Sequence, residues 1–117
     1  MKYTGTGRMQ PKDTEEAAEI TVTVENGMIT DAEYICAGGD LLFECLRTVC
    51  KVIKDKPYND VMQMNNNAVY YNVMTELPRD RLYLASIAVM AAKRAVKDCA
   101  VKNGLPLDTP DDGCNCV

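Results

Sequence analysis

Ile20, Val22 and Val24 alternate with Thr21, Thr23 and Glu25, and Asn26-Gly27 separates this run from a second extended stretch, Met28 to Cys36. Alternation with a period of two gives a strand one apolar and one wet face, which suits an antiparallel sheet covered on one side. Asn-Gly supplies the two positive-φ residues of a type I′ turn. Strands over about 19–25 and 28–36, joined as a hairpin, constrain the chain more than any other feature: the remaining segments must cover that sheet.

They are suited to it. Gly38-Gly39-Asp40 punctuates the chain, and Leu42, Leu46, Val49, Cys50 and Ile53 fall on one stripe at helical spacing over about 41–54. Asp40 is expected as the N-cap of that helix. Pro57 suits the first turn of a short helix reaching about Met64. Asn65-Asn66-Asn67 is a break with capping potential, and a further short helix is expected over 68–75, ended by Leu77-Pro78. The last helix runs from Arg79 or Asp80 to Asn103, with Gly104 at its C′ position. Its apolar face is Leu84, Ile87, Ala88, Ala91, Ala95 and Cys99, while Lys93, Arg94, Lys97 and Lys102 are expected in solvent. Residues 1–18 read as mostly irregular, with a short strand near the start. Residues 1–104 therefore form one α+β domain, a small antiparallel β-sheet covered on one face by helices, and 105–117 form an acidic, cysteine-containing tail.

Composition narrows the function classes. With 47% hydrophobic and 26% charged residues in 117, the chain is an ordinary globular domain. No apolar run approaches the roughly 18 residues that span a bilayer, and Met1 to Gly7 has no apolar segment of a secretory signal, so the expectation is a cytoplasmic protein without a membrane partner. A net charge of −4 with scattered Lys and Arg argues against nucleic acid. Six cysteines are present and no histidine. Without a secretory context, reduced thiols are expected rather than disulfides. Lacking histidine, any metal binding or catalysis must use Cys, Asp, Glu, Lys or Tyr.

The succession of Asn-Gly hairpin, Gly38-Gly39 loop, apolar helix, Leu77-Pro78 and long Ala-rich helix resembles the NifU/IscU family of iron–sulfur cluster scaffolds, from about residue 10 to 104. The resemblance implies the family's α+β fold and a role in iron–sulfur cluster assembly. It also implies partners such as a cysteine desulfurase or iron–sulfur acceptor proteins. The family holds its cluster on cysteines just before the first strand, in the glycine loop and at the start of the last helix, where a histidine precedes. Those positions are Thr14, Gly39 and Leu84 here, with Tyr83 at the histidine, and the family aspartate falls at Glu16. Thiolates hold iron as soft, charged ligands; glycine and leucine have no donor atom. The chaperone-docking segment of the family reads Leu77-Pro78-Arg79-Asp80-Arg81 here.

Other thiols remain. Cys36 lies near the end of the second strand, three residues before Gly39, and reads either as a small half-buried hydrophobe or as a thiol facing the old site. Cys36, Gly39 and Asp40 are thus the candidate cofactor contacts. The Gly38-Gly39-Asp40 loop also has the look of a phosphate cradle, although Asp40 puts negative charge where an anion would sit. Cys45 and Cys50 lie about 140° apart around a helix of roughly 3.6 residues per turn, Cys50 on the apolar stripe and Cys45 nearer its edge. Cys99 reads as core. Cys114-Asn115-Cys116, beside Asp108, Asp111 and Asp112, can take a soft metal, form a strained disulfide, or reach back to the pocket. With Cys36, these two are the candidate metal ligands, and the cargo in view is iron or a cluster held transiently. Structural roles compete throughout: Gly5-Thr6-Gly7 precedes no clear helix, and Tyr70, Tyr71, Tyr83 and the methionines suit packing.

Three functions fit. The first is a diverged NifU-like protein that binds iron or a cluster at most through non-ancestral cysteines. The second is a non-catalytic interaction or regulatory module that kept the fold and lost the metal. The third is a thiol redox enzyme using Cys114 and Cys116. The first is favoured, with no catalytic residues and no enzymatic activity assigned. Oligomeric state is not legible in the sequence.

Overall fold

The two expected strands pair as the hairpin requires. In a computed structural model that describes residues 2–10, 16–72 and 79–105, β2 (Ala17–Glu25) and β3 (Met28–Ala37) are antiparallel neighbours. Their turn is made by Asn26 (φ 55°) and Gly27 (φ 80°). The architecture is α+β: a three-stranded antiparallel sheet in the order β1-β2-β3, with helices packed on one face. Those helices are α1 (Asp40–Ile53), α2 (Tyr58–Gln63), α3 (Asn67–Tyr70) and the long α4 (Tyr83–Asn103), the last preceded by a 3₁₀ turn at Arg79–Arg81. No helix among the described residues is long and apolar enough to cross a membrane.

A single extra residue decides which way β3 faces. Val24 pairs with Ile29, but Thr23 pairs with Asp31, so Thr30 is left over as a bulge. Because side chains alternate with a period of two, one inserted residue transfers everything downstream to the opposite face. Ile29 is sealed in the core, and beyond the bulge Ala32, Tyr34 and Cys36 turn inward while Asp31, Glu33 and Ile35 turn out. The start of β3 is tied down from the far side. Ile29 donates to the Lys56 carbonyl at 2.8 Å, Asp55 donates to that of Ile29 at 2.7 Å, and Met28 bridges to Pro57.

The N-terminal segment departs from expectation. Instead of a short strand in irregular chain, β1 spans Lys2–Met9 and pairs with β2 over its whole length. The reason is the alternation Gly5-Thr6-Gly7, which carries no apolar signal. Both glycines face α4, where a Cβ at Gly5 would collide with the backbone at Ala95 and Cys99, and one at Gly7 with Ala91 and Ala95. The alanines of α4 complete this close approach: Ala88, Ala91, Ala92 and Ala95 are all sealed. The helix also closes the open edge of β1. Asp98 accepts the Thr6 N–H at 2.9 Å, and Arg94 donates to the Arg8 carbonyl at 2.8 Å. An unpaired strand edge is otherwise a template for adding another chain.

Ile20, Val22 and Val24 meet Leu42, Leu46, Val49 and Ile53 of α1 and Leu84 and Ile87 of α4 in one apolar core. Smaller corrections follow from the same packing. Asp40 is the first helical residue of α1, not its cap; extended Gly39 holds the cap position without a side-chain hydrogen bond. Cys45 is sealed as completely as the stripe residues rather than lying at its edge. Lys93, expected in solvent, is only 5% exposed. In the Asn65-Asn66-Asn67 break Asn65 Oδ1 accepts the Asn67 N–H at 2.9 Å, while Asn66 holds the cap position of α3 without a side-chain hydrogen bond. The helix that follows is shorter than 68–75, its described part ending at Tyr70. Leu77-Pro78 lies outside the described residues. Gly104 takes the left-handed conformation (φ 70°) that ends α4.

Candidate functional site

The candidate residues meet where β3 ends, α1 begins and α4 begins. Tyr83, in the first turn of α4, donates its phenolic hydrogen to Glu16 Oε1 at 2.6 Å, across 67 positions of sequence. Glu16 immediately precedes β2 and also lies beside the glycine loop. A Cβ at Gly38, whose φ is 146°, would approach Glu16 Cγ at 3.4 Å and Leu42 Cδ2 at 3.1 Å. Gly38 is therefore required both by its backbone conformation and by this tight approach. Gly39 is different: its φ is −86°, and no described residue comes within 4 Å of where a Cβ would stand. A side chain at this position would project into open space.

Cys36 is the described thiol at this end of the molecule that is not sealed. The bulge at Thr30 turns it toward the helices, opposite Ala18, and leaves it half-buried. Burial pushes its thiol up, and the Glu16 carboxylate pushes it further in the same direction. Two residues earlier on the same face, Tyr34 meets Phe43 edge-on, with ring centroids 5.4 Å apart at 69°. Phe43 and Tyr83 are both exposed.

The other described thiols are structural. Cys45, Cys50 and Cys99 are all buried and unbridged. Burial, with help from Glu44 and Cys36, takes Cys45 to about 11; burial with help from Asp31 takes Cys50 to about 12. Burial also raises Cys99, against the opposing pull of Lys102 and Asn103. Thiols in this range are protonated near neutrality, and the thiolate is the form that binds metal or attacks.

The donor set does not fit an iron–sulfur cargo held as the scaffold family holds it. Gly39 offers open space and no donor, and Leu84 is 1% exposed, part of the core wall. Among the described residues no three Cys, Asp or Glu gather closely enough to hold a metal ion. Thr14, Cys114 and Cys116 lie outside the described residues. The structure thus brings together Cys36, Glu16, Gly38-Gly39-Asp40 and Tyr83, and excludes Leu84. Sequence reasoning missed the Tyr83–Glu16 bond itself; its only signal was that both positions aligned with polar positions of one resembled site.

These features define a small α+β domain with, among the described residues, an acid–phenol pair and a half-buried thiol at the glycine-loop end. Comparison with models of known protein families and with curated protein sequences finds no match to the chain.

Proposed function

We propose that the chain is a diverged NifU-like protein of iron–sulfur cluster assembly whose cargo chemistry does not run through Thr14, Gly39 and Leu84. One observation carries this reading. The residues that the resemblance aligns with the family's aspartate and histidine, Glu16 and Tyr83, are far apart in sequence yet share a 2.6 Å hydrogen bond beside the glycine loop. An alignment made by chance has no reason to bring its two polar positions into contact. In this reading the acid–phenol pair occupies the ground that a ligand set holds in the family, and Cys36, with Cys114 and Cys116, supplies the thiols for iron, a cluster or a sulfur-carrying partner.

Anaerobic reconstitution with iron and sulfide, read by metal analysis, tests this together with co-purification against a cysteine desulfurase. Iron or desulfurase retained by the wild-type chain, and lost when Cys36, Cys114 and Cys116 are all changed to Ser, is the expected result. A chain that takes up no iron and retains no desulfurase would overturn the proposal. The sealed Leu84 and the raised Cys36 thiol favour a second reading, an interaction module that kept the fold and gave up the metal. It requires that partner binding survive the triple serine substitution.

A further inference from the structure

We propose that the outer face of α1 carries a binding site for a compact polyanion, with pyrophosphate as its minimal probe. A concavity of about 660 Å³ lies there. That falls within the range of about 300–1,000 Å³ typical of small-ligand sites. Arg47, Lys51 and Lys56 all line it, against a single carboxylate, Glu44, among the described lining residues. This is a local excess of positive charge on a chain whose net charge is −4.

The three cations are not consumed elsewhere. Glu44 stands 3.6 Å from Arg47 on the preceding turn, so that charge is shared. Lys51 and Lys56 make no ion pair among the described residues. Favourable interaction with the carbonyl end of α1 accounts for Lys51, in its last turn. It does not account for Arg47, one turn earlier, or for Lys56, beyond the helix. Lys56 is held in place by its own backbone, since its carbonyl accepts the Ile29 N–H and its N–H bonds Ile53. The anchored loop therefore sets Lys56 against the same hollow as the helical cations. Thr48, only 6% exposed, adds a hydroxyl from the wall.

The lining also selects the ligand's chemistry. Among the described lining residues Val52 is the one apolar side chain and none is aromatic, so they offer a nucleobase no stacking surface. What remains is charge, hydroxyl and amide, which suits a small ligand dense in phosphate oxygens. The position of Glu44 directs such a ligand toward the Lys51–Lys56 end. By contrast, the hollow on the bare face of the sheet carries Glu19 and Glu33 and repels the same ligand.

Calorimetric titration of the whole chain with pyrophosphate at low salt tests the site. Binding is expected, weakening as salt rises, and falling at least tenfold in a Lys51→Gln/Lys56→Gln double variant. Both lysines are exposed, so thermal melting of the variant should match the parent. Lys97→Gln, on the exposed face of α4, should leave affinity unchanged. No binding, binding that the double variant retains, or binding lost equally in Lys97→Gln would each overturn the proposal. So would a polyglutamate peptide that binds through these lysines where pyrophosphate does not.

Discussion

Individual glycines in this chain do three different jobs, and substitution separates them. Gly7→Ala drives a methyl group into the α4 backbone at Ala91 and Ala95, so a loss of about 1–3 kcal/mol is expected in urea unfolding. Gly38→Ala forces a left-handed backbone on a residue that resists it and should cost a similar amount, on the order of 1–3 kcal/mol. Gly39→Ala meets only open space in an ordinary conformation and should change stability by less than about 0.5 kcal/mol. Cys36 gives a second test at this scale. Glu16 is the lesser of the two influences raising its thiol. Glu16→Gln should therefore lower the midpoint of its alkylation-rate profile without returning it to the ordinary thiol value, because burial remains. Measured with Cys114 and Cys116 changed to Ser, a profile that does not move would separate Cys36 from Glu16.

At the level of elements, the sequence displayed its sheet unevenly. The hairpin was legible because alternation and Asn-Gly agree, and α4 because its apolar face and Gly104 stop agree, although it begins at Tyr83, after a 3₁₀ turn at Arg79–Arg81, and not at Arg79 or Asp80. β1 was not, since a strand that seats a helix through hydrogen atoms offers no hydrophobic pattern. Its counterpart was visible only as an excess of alanine on α4. The inward aim of Cys36 was equally hidden, because it depends on Thr30 being skipped. Deleting Thr30 should leave every downstream side chain on its present face and preserve folding by circular dichroism. Deleting Glu33 should expose Tyr34 and Cys36, bury Ile35 in their stead, and abolish the cooperative melt.

The clamp of α4 on β1 also titrates. The Thr6 N–H, and secondarily Lys102, hold the Asp98 carboxyl below its usual value. A depressed folded-state value means that Asp98 stabilises the fold above the unfolded carboxyl value, near 3.9, and that this contribution fades as pH falls through the folded value. Asp98→Asn should therefore lower the melting temperature near pH 6 and make little difference near pH 2. The effect should be modest and reduced by salt, because the side chain is 43% exposed.

Over the whole molecule, the two ends of the sheet divide the chemistry. The glycine-loop end gathers Cys36, Glu16 and Tyr83, while the hairpin end is fastened by Asp55 to Pro57. In the sequence the first end was marked only by the glycine loop and by the positions that the resemblance singles out. Nothing in the sequence marked α1 as the cationic wall of a hollow, because Lys56 joins it only through the fold of a loop. Three thiols lie in the interior, so with Cys36, Cys114 and Cys116 changed to Ser the native chain should resist a thiol reagent. Cys45, Cys50 and Cys99 should then react together, at a rate that rises with denaturant as global unfolding does.

The bond from Thr6 to Asp98 joins positions 92 residues apart. A ribosome releasing this chain from its N-terminus would deliver the first strand long before the helix that seats it. The nascent N-terminal half has an unfinished border until the turn carrying Asp98 emerges.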